Sequence, residues 1–572
     1  MSDAPRPIRI GNVSGFYGDR FSAMREMLEG GDLDFIVGDY LAELTMLILG
    51  RDRLKDPNLG YAKTFLRQME ENLELIAEKD VKVVVNAGGL NPHGLAVDLR
   101  EVIEKLGVDR RVAFVAGDDI VARADELGLG TPIAANAYLG AFGIKAALDA
   151  GADIVVTGRV TDASLVVGSA ASAFGWGYDD IDQLAGAVVA GHVIECSAQA
   201  TGGNYSFFTE IPKMGRLGFP IAEVAADGTS VITKHEGTGG AVLVGTITAQ
   251  LLYEIAGPRY YNPDATARMD TITLAQVGAD RVSISGVKGE APPKDLKVSL
   301  NHLGGIRNEF EVVVTGLDIE AKAALFQEQF EDALAERPAE LSWDLVRHDR
   351  ANADTEETAS AILRCVARDA DPRKAGRKFS STAVELALAS YPGFTLTAPP
   401  ANGAPYGVFE PAYVDAALVP HQVNLPDGVT VKVEPSPLRT DAIVDQSVDA
   451  PAATDWGETF TAPLGTIVGA RSGDKGGSAN IGVWVRSAEE FAWLDQTLSV
   501  NRLKELLPEI ADLTVHRYPL PNMWAVNFVI EEVLGRGVAE NVRFDPQAKG
   551  LGEWLRSRTV AIPTRFRKTE ES

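Results

Sequence analysis

The stretch VKVVVNAGG (residues 81–89) is an apolar run of β-branched residues that ends in a polar, glycine-containing cluster. Four further runs in the N-terminal region show the same pattern, which is typical of strands buried on both faces of a sheet. Segments with helical spacing separate the runs, and this order predicts an α/β fold with a mostly parallel, Rossmann-like sheet. The other runs are IRIGNVSG (8–15), DFIVGDY (34–40), VAFVAGDD (112–119) and ADIVVTGR (152–159).

Polar residues and glycines come at the carboxyl end of each run. In open α/β sheets, ligands bind in the crevice beyond the carboxyl ends of the strands. We therefore predict a ligand-binding site along this edge of the sheet. The residues predicted to line it are Asn12, Ser14, Gly15, Asp39, Asn86, Gly88, Gly89, Asp118 and Arg159.

The chain has 572 residues, of which 45% are hydrophobic and 23% charged, as expected for a soluble protein of two to four domains. Its formal net charge of −26 repels nucleic acids and anionic membranes, so we expect neither as a partner. Two cysteines exclude a disulfide scaffold and a Cys-rich metal site. Because no apolar signal core or membrane-length segment is found, we expect a cytoplasmic protein.

Changes in composition predict four regions. Residues 1–265 form the Rossmann-like ligand-binding domain, and residues 266–433 form an α+β region packed on it. Residues 434–458 are polar and rich in Pro, Asp and Ala, which is linker composition. Residues 459–565 follow a β-β-α-β-β-α-β order that predicts a ferredoxin-like domain. Within the second region, helices are predicted over 319–336 (with Leu325, Phe326, Phe330 and Leu334 on one face), 354–369 and 380–390.

The segment TGRVTDAS (157–164) places Arg159 and Asp162 at the end of the fifth run. The guanidinium of Arg159 suits a carboxylate or a phosphate. Asp162 caps the next helix, pairs with Arg159 or acts as a general base. A purely structural ion pair is the alternative.

The segment GNVSGFYGDR (11–20) has three glycines but lacks the G-x-G-x-x-G pattern of a dinucleotide site. It favours a loop whose N–H groups face a ligand, with an ordinary tight turn as the alternative. A similar turn at residues 201–204 contributes the predicted ligand-binding residues Thr201, Gly202, Gly203 and Asn204.

His192, Glu195 and Cys196 lie on one helical face of the preceding segment. The His and Glu form a candidate metal pair, although two ligands are a weak signal. Cys196 is a nucleophile if a base lowers its pKa, and a buried small apolar residue otherwise.

The segment KHEGTGG (234–240) precedes a predicted helix, so its N–H groups are placed to cradle an anion. We predict that Thr238, a candidate cap, and Gly239 bind the ligand, and that His235 and Glu236 transfer protons. A plain capping turn is the alternative.

The segment ARSGDKGGSANIGV (470–483) looks too elaborate for a bare hairpin, which needs two turn residues. We predict that its Arg471, Asp474 and Lys475 either contact a ligand held by the large domain or mediate subunit assembly.

Several of these blocks resemble the acyclic terpene utilisation protein A family over nearly the whole chain. The resemblance implies a large domain with a C-terminal ferredoxin-like domain, and a role in bacterial breakdown of acyclic terpenes through branched acyl-CoA thioesters. No residue role is transferred from it. The blocks are IRIGNVSGFYGDR, VVVNAGGLNP, VTGRVTDASL, ATGGNYSF, KHEGTGG and RSGDKGGSANIG.

Three functions compete. In the first, a lyase or hydratase acts on a branched acyl-CoA or related carboxylate without a metal or other cofactor. Arg159 then binds the anion, the turns at 86–89 and 202–204 stabilise an oxyanion, and His235, Glu236 or Asp162 moves the proton. The second is a non-catalytic acyl-CoA-binding or scaffold subunit of a carboxylase or lyase complex, and the third a nucleotide-dependent ligase. We expect a homo-oligomer.

Overall fold

The computed structural model describes residues 5–567, apart from the side chains of residues 43 and 44. The chain forms two compact units. The first consists of the described parts of residues 1–301, 409–538 and 543–572, and the second of residues 302–408 with 539–542. The predicted domain limits at residues 265, 433 and 458 stay predictions. No described helix has both the length and the apolar character needed to cross a bilayer.

Strands and helices alternate through the N-terminal part of the chain, and each of the five apolar runs contains a strand. Local sequence sets the helix limits, as where the Asn91 side chain caps a helix that ends at left-handed Gly107. The elements are β1 (Ile8–Ser14), α1 (Ala23–Glu29), β2 (Phe35–Gly38), α2 (Glu43–Lys55), α3 (Lys63–Lys79), β3 (Lys82–Val85), α4 (Pro92–Leu106), β4 (Val112–Ala116), β5 (Ala134–Ala137), α5 (Phe142–Asp149), β6 (Ile154–Thr157), α6 (Ser164–Phe174), α7 (Ile181–Ile194), β7 (Pro220–Val224), β8 (Ser230–Lys234), α8 (Val244–Leu251), β9 (Arg259–Tyr260), β10 (Thr266–Arg268), β11 (Thr273–Gly278), β12 (Arg281–Ser285) and β13 (Lys288–Glu290).

The remaining elements correct two predictions. Residues 360–369 form a strand and not a helix, because small apolar side chains such as Leu363 and Cys365 alternate with arginines. The helix predicted over 319–336 ends at Ala333, and its Leu325 is exposed. The elements are β14 (Asp295–Thr315), α9 (Ile319–Ala333), β15 (Glu340–Val346), β16 (Ser360–Asp369), α10 (Arg377–Glu385), β17 (Thr395–Leu396), β18 (Ala404–Asp415), β19 (Gln422–Asn424), β20 (Thr430–Lys432), β21 (Thr459–Pro463), β22 (Gly469–Lys475), β23 (Ser478–Trp484), α11 (Ala488–Thr497), α12 (Val500–Leu506), β24 (Val515–Leu520), β25 (Ala525–Ile530), α13 (Leu551–Ser557) and β26 (Thr559–Pro563).

The largest sheet is mixed, so the prediction of a mostly parallel sheet holds only for its centre. The order β1-β2-β3-β6-β4 is parallel throughout and contains all five apolar runs. Antiparallel strands extend it on both sides, with β7, β8, β12 and β11 beyond β1, and β19 and β20 beyond β4. The carboxyl ends of the central strands therefore share one edge.

Both faces of this centre are covered. Val83 and Val85 of β3 pack with α1, α3 and α4, whereas Val84 packs with α5, α6 and α7. Successive side chains of a strand point to opposite faces, and all three valines are fully buried. Burial on both sides explains why the sequence of the strand is continuously apolar.

The C-terminal part forms a four-stranded antiparallel sheet in the order β22-β23-β25-β24. Two helices, α11 and α12, stand where the predicted order has one, and α13 follows as predicted. The prediction that residues 470–483 are too elaborate for a bare hairpin is wrong. This segment is a hairpin in which Lys475 pairs with Ser478 across the two-residue turn Gly476-Gly477. Gly476 has φ +63, so the turn needs a residue that tolerates left-handed backbone.

Candidate functional site

The polar ends of the central strands form a buried hydrogen-bonded network, beginning with Asp39 after β2. Its Oδ1 accepts hydrogen bonds from Asn86 Nδ2 at 2.5 Å and from the Leu41 N–H at 3.0 Å. Asn86 Oδ1 in turn accepts from the Tyr40 N–H at 2.7 Å. Burial, followed by the negative charge of Asp162, raises the pKa of Asp39 well above its usual range. The structure thus brings the predicted residues Asp39 and Asn86 together.

Asp118, after β4, fixes the backbone of Arg159. Its Oδ2 accepts from the Arg159 N–H at 2.9 Å and from Asn136 Nδ2 at 2.8 Å. Burial raises the pKa of Asp118 to about 7. Asp118 therefore positions the residue that follows β6 and does not itself face a ligand through this oxygen.

Arg159 and Asp162 form the predicted ion pair. Arg159 Nη1 donates to Asp162 Oδ1 at 2.8 Å, and the guanidinium lies 4.2 Å from the centre of the Tyr138 ring. The Arg159 side chain is only 3% exposed, whereas that of Asp162 is 30% exposed. Arg159 is thus the buried member of the pair, and Asp162 is the partly exposed one.

His192 and Glu195 lie at the end of α7, where the i, i+3 spacing predicted a shared face. His192 Nδ1 and Glu195 Oε1 are 2.9 Å apart. Burial, then the positive charge of Lys475, lowers the pKa of His192 to about 4. Burial, then the charges of Asp162 and Glu254, raises the pKa of the Glu195 carboxyl well above its usual range. The His192 imidazole is therefore neutral, and the Glu195 carboxyl beside it tends to keep its proton.

One polar atom of each side chain in this pair lacks a hydrogen-bond partner among the described residues. Glu195 Oε2 and His192 Nε2 are both buried and have no hydrogen-bond partner among the described residues. Buried polar atoms are normally hydrogen-bonded, so a pair of such atoms on neighbouring groups marks a place where a ligand or water binds. The charges of Arg159, Asp162 and Lys475 all act on Glu195.

Cys196 follows directly, and its surroundings disfavour the thiolate. Burial, then the negative charge of Glu195, raises the pKa of the Cys196 thiol. The nucleophile alternative requires a lowered pKa, which this environment does not provide, and the residue itself is partly buried.

The GNVSG segment contacts the Glu195 turn, which explains its glycine. A Cβ on Gly15 would lie 2.9 Å from both the Cys196 carbonyl carbon and the Glu195 carbonyl oxygen. Asn12 Nδ2 donates to the same Glu195 oxygen at 3.4 Å and to Ser14 O at 3.0 Å. Gly15 is required for packing against the chain after α7, and its N–H donates to Asp19 Oδ2 at 2.8 Å and not to the predicted ligand.

The C-terminal hairpin lies beside the same site. Asn480 Oδ1 accepts from the Glu254 N–H at 2.9 Å, and Lys475 Nζ donates to Glu254 O at 2.9 Å. Gly473 allows this approach, since a Cβ there would lie 2.5 Å from the Tyr253 ring. Glu254 itself has φ +57, a left-handed conformation that costs roughly 1–2 kcal/mol in a residue with a side chain. The structure thus brings the predicted segment 470–483 against the large domain.

Two further predicted residues of the hairpin have partners in this region. Arg471 donates through Nη2 to Gln199 Oε1 and stacks 4.3 Å from the centre of the Tyr253 ring. Asp474 Oδ1 lies 3.7 Å from Lys549 Nζ.

The predicted glycine turns are occupied by internal hydrogen bonds. The N–H groups of Gly89, Gly202 and Gly203 donate to the carbonyls of Asn86, Gln199 and Ala198, respectively. Thr201 Oγ1 likewise donates to Gly218 O at 2.7 Å. Gly88 closely approaches Thr157 O, Asn204 adopts a left-handed conformation, and Ser14 Oγ donates to Phe16 O. These contacts leave the turns poorly suited to the predicted oxyanion role.

The side chains of the KHEGTGG segment have partners other than the Glu195 pair. His235 Nε2 is 2.8 Å from Met27 O, and burial, with the charges of Arg9 and Lys79, lowers the pKa of this ring. Glu236 is exposed. The prediction that Thr238 caps a helix is wrong, because its Oγ1 donates to His235 O and α8 begins only at Val244. Gly239 is required by the close approach of Arg216 O.

Metal ligation was the other sequence alternative for His192 and Glu195. Across residues 5–567, no group of three His, Cys, Asp or Glu side chains is arranged to hold a metal ion. The pair bonds to itself through Nδ1 and Oε1, so the described geometry favours proton sharing over joint ligation.

Two family models match the chain. One is described as acyclic terpene utilisation family protein AtuA and covers residues 8–425, which is well over half of the chain. The chain belongs to this family. A second model, the AtuA ferredoxin-like domain, covers residues 462–561 and confirms the predicted character of the C-terminal domain in this AtuA family member. Membership associates the protein with acyclic terpene utilisation. No curated protein matches it in sequence.

Sequence reasoning missed several residues of the AtuA site. Tyr253 and Glu254 end the apolar segment after α8 and had no motif around them, although a polar residue there was a weak signal. His192 and Glu195 were recognised as a pair, but not as the proton-transfer candidates. The other missed residues are Gln199, Tyr138, Tyr260 and Lys549.

Proposed function

We propose that the protein is an acid–base enzyme of the lyase or hydratase type that acts on a branched acyl-CoA or a related carboxylate. One observation carries this proposal. The buried Glu195 carboxyl is hydrogen-bonded to a neutral His192. Glu195 Oε2 and His192 Nε2 have no hydrogen-bond partner among the described residues. A raised carboxyl pKa suits proton transfer near neutral pH, where a general acid or base needs both of its protonation states.

The chemistry that fits these groups is proton transfer at the carbon next to a thioester carbonyl. Glu195 as carboxylate takes the proton from that carbon, and the C–H electron pair moves to the carbonyl oxygen to give an enolate. Arg159 supplies the nearby positive charge that stabilises this oxygen. Protonated Glu195 then returns the proton, or assists departure of a β-hydroxyl group as water. Family association with acyclic terpenes supports a branched acyl chain.

This assignment replaces two of the sequence candidates. Glu195 takes the acid–base role that composition gave to His235 and Glu236, because an exposed glutamate lacks the burial that tunes a carboxyl for this task. Asp162 keeps a role beside Arg159, where it orients the guanidinium through the 2.8 Å hydrogen bond.

The proposal is tested by incubating the protein in deuterium oxide with branched and unbranched acyl-CoAs and following α-deuteration and product by mass spectrometry. We expect exchange with at least one branched thioester, and a loss of at least about 100-fold in Glu195→Gln. Glu236→Gln is the matched control and should keep the wild-type rate. Equal rates for wild type and Glu195→Gln, or no exchange with any thioester, would refute the proposal.

A further inference from the structure

Arg471 is a buried cation without a carboxylate partner. It is 6% exposed on β22, and it contacts Gln199 Oε1 through a hydrogen bond and Tyr253 through a stack. No Asp or Glu of the described residues hydrogen-bonds to its guanidinium, and its Nε is buried with no hydrogen-bond partner among them. A buried charge without a counter-charge is unfavourable unless something else neutralises it.

Arg517 of the same domain shows what a structural arginine looks like here. It is fully buried, pairs with Asp495, and donates to the carbonyls of Leu498, Val448 and Asp495. All three guanidinium nitrogens of Arg517 are thus used. Arg471 is enclosed to a similar degree, but its Nε is unused. The difference indicates that Arg471 is prepared for a partner that is not part of the fold.

The neighbouring cation is Lys549, which lies within ion-pair distance of the nearby acids. Lys549 also stacks on Tyr253, 4.4 Å from the ring centre, but its Nζ lies 3.3 Å from Glu254 Oε1 and 3.7 Å from Asp474 Oδ1. Glu254 and Asp474 therefore pair with Lys549, and the charges of Glu254 and Glu553 act on Arg471 only from a distance.

Arg471 belongs to the Glu195 site. Arg471 Nη2 donates to Gln199 Oε1, and the Gln199 N–H donates at 3.3 Å to the carbonyl oxygen of Cys196, the residue that follows Glu195. The positive charge of Arg159 acts on the Glu195 carboxyl. Residues 195–199 are thus linked to two buried guanidiniums, that of Arg159 through its charge on Glu195 and that of Arg471 through its hydrogen bond to Gln199.

We propose that Arg471 binds a carboxylate of the substrate, so that the preferred substrate is an acyl thioester carrying a second, free carboxylate. The inference rests on the proposed function for the identity of the site, and adds its substrate class. A planar guanidinium with an unused Nε–H matches the two oxygens of a carboxylate. The C-terminal domain is then a specificity element of the enzyme.

The test compares binding of glutaryl-CoA, pentanoyl-CoA and free CoA to the full chain by calorimetry. The first two probes have acyl chains of equal length and differ in the distal carboxylate. We expect wild type to bind glutaryl-CoA at least about tenfold more tightly than pentanoyl-CoA. Arg471→Met should abolish this preference, and Arg471→Lys should leave a smaller one because it keeps the charge but loses the planar fork.

The control is Arg486→Met in the same domain, since Arg486 pairs with Glu210 at the surface and should leave the preference unchanged. Absence of a preference in wild type, or its persistence in Arg471→Met, would overturn the inference. Equal weakening of all three ligands would also overturn it, because the bound group would then be a CoA phosphate. If Arg471→Met does not fold, Arg471→Lys decides.

Binding separates this inference from the proposed function. Glu195→Gln should lose exchange but keep the preference for glutaryl-CoA. A wild-type protein that prefers glutaryl-CoA but exchanges no proton would refute the acid–base function alone. Exchange without the preference would refute the role of Arg471 alone.

Discussion

Glu195 Oε1 and His192 Nδ1 lie 2.9 Å apart, and both side chains are buried at the end of α7. The imidazole is neutral because burial lowers its pKa to about 4, while burial raises the pKa of the carboxyl. The contact between them is therefore a hydrogen bond and not a permanent ion pair. Their coupling makes the ionisation of Glu195 depend on His192.

Replacing His192 with phenylalanine should move the acidic limb of the kcat/KM profile to higher pH. The ring keeps its packing against Tyr260, but the N–H that stabilises the Glu195 carboxylate is lost, so the pKa of Glu195 rises further. The pH profile of deuterium exchange measures this shift. His235→Gln is the control and should leave the limb in place, and an unmoved limb in His192→Phe would contradict the coupling.

Replacing Asp118 with asparagine should reduce the pH dependence of stability between about pH 4 and pH 7. The pKa of Asp118 is about 7 in the folded protein and roughly 3.9 when unfolded, so the folded state binds more protons in this window. Its free energy of unfolding therefore falls as pH rises, by up to about 1.4 kcal/mol per pH unit from this group. The uncharged amide of the variant does not titrate, so that contribution is absent from it.

Urea unfolding at a series of pH values from 5 to 8 measures the slopes for wild type and Asp118→Asn. The exposed Asp441 provides a control, since Asp441→Asn should follow the wild-type slope. Parallel curves for wild type and Asp118→Asn would show that Asp118 is ionised throughout.

Gly15→Ala should impair both stability and turnover. The new methyl group would press on backbone atoms of Glu195 and Cys196 at 2.9 Å, and relief requires moving the chain that carries the acid–base pair. We expect a destabilisation of about 1–3 kcal/mol. Gly18→Ala in the same motif meets only the exposed Phe16 side chain and should be mild. Equal effects of the two variants on unfolding and exchange would contradict the packing role of Gly15.

Gly473→Ala should loosen the contact between the C-terminal hairpin and residues 253–254. A methyl group there would lie 2.5 Å from the Tyr253 ring, so hairpin or ring must shift by about an ångström to reach ordinary contact. Protection of the Glu254 amide in hydrogen exchange should fall. Gly177→Ala, whose methyl group has space, is the control. Unchanged protection in Gly473→Ala would argue against this contact.

The central strands could be predicted because burial on both faces leaves a continuous apolar signature, as in Val83, Val84 and Val85. The strands that make the sheet mixed could not, because their pairing joins distant parts of the chain. Val423 of β19 pairs with Val115 of β4, for example, and no local pattern specifies such a partner. Similarly, the spacing of His192 and Glu195 predicted a shared face, but not the burial and charges that set their pKa values.

The hairpin shows the same limit in another form. Its glycines suggested a ligand loop, yet Gly473 is small because Tyr253 approaches it, and that neighbour lies more than 200 residues earlier in the chain. The sequence singles out Arg471 as a candidate, but whether a carboxylate of the described residues pairs with it is a property of the folded surroundings alone.

The contact of the C-terminal hairpin with the backbone of Glu254 also bears on how a gene for this protein can be divided. Asn480 and Lys475 hold the main-chain N–H and C=O of Glu254, whereas its side chain pairs separately with Lys549. Separating the two segments would leave the N–H and C=O of Glu254 without these partners. A gene that was split between them would yield two polypeptides that have to find each other before a complete site exists.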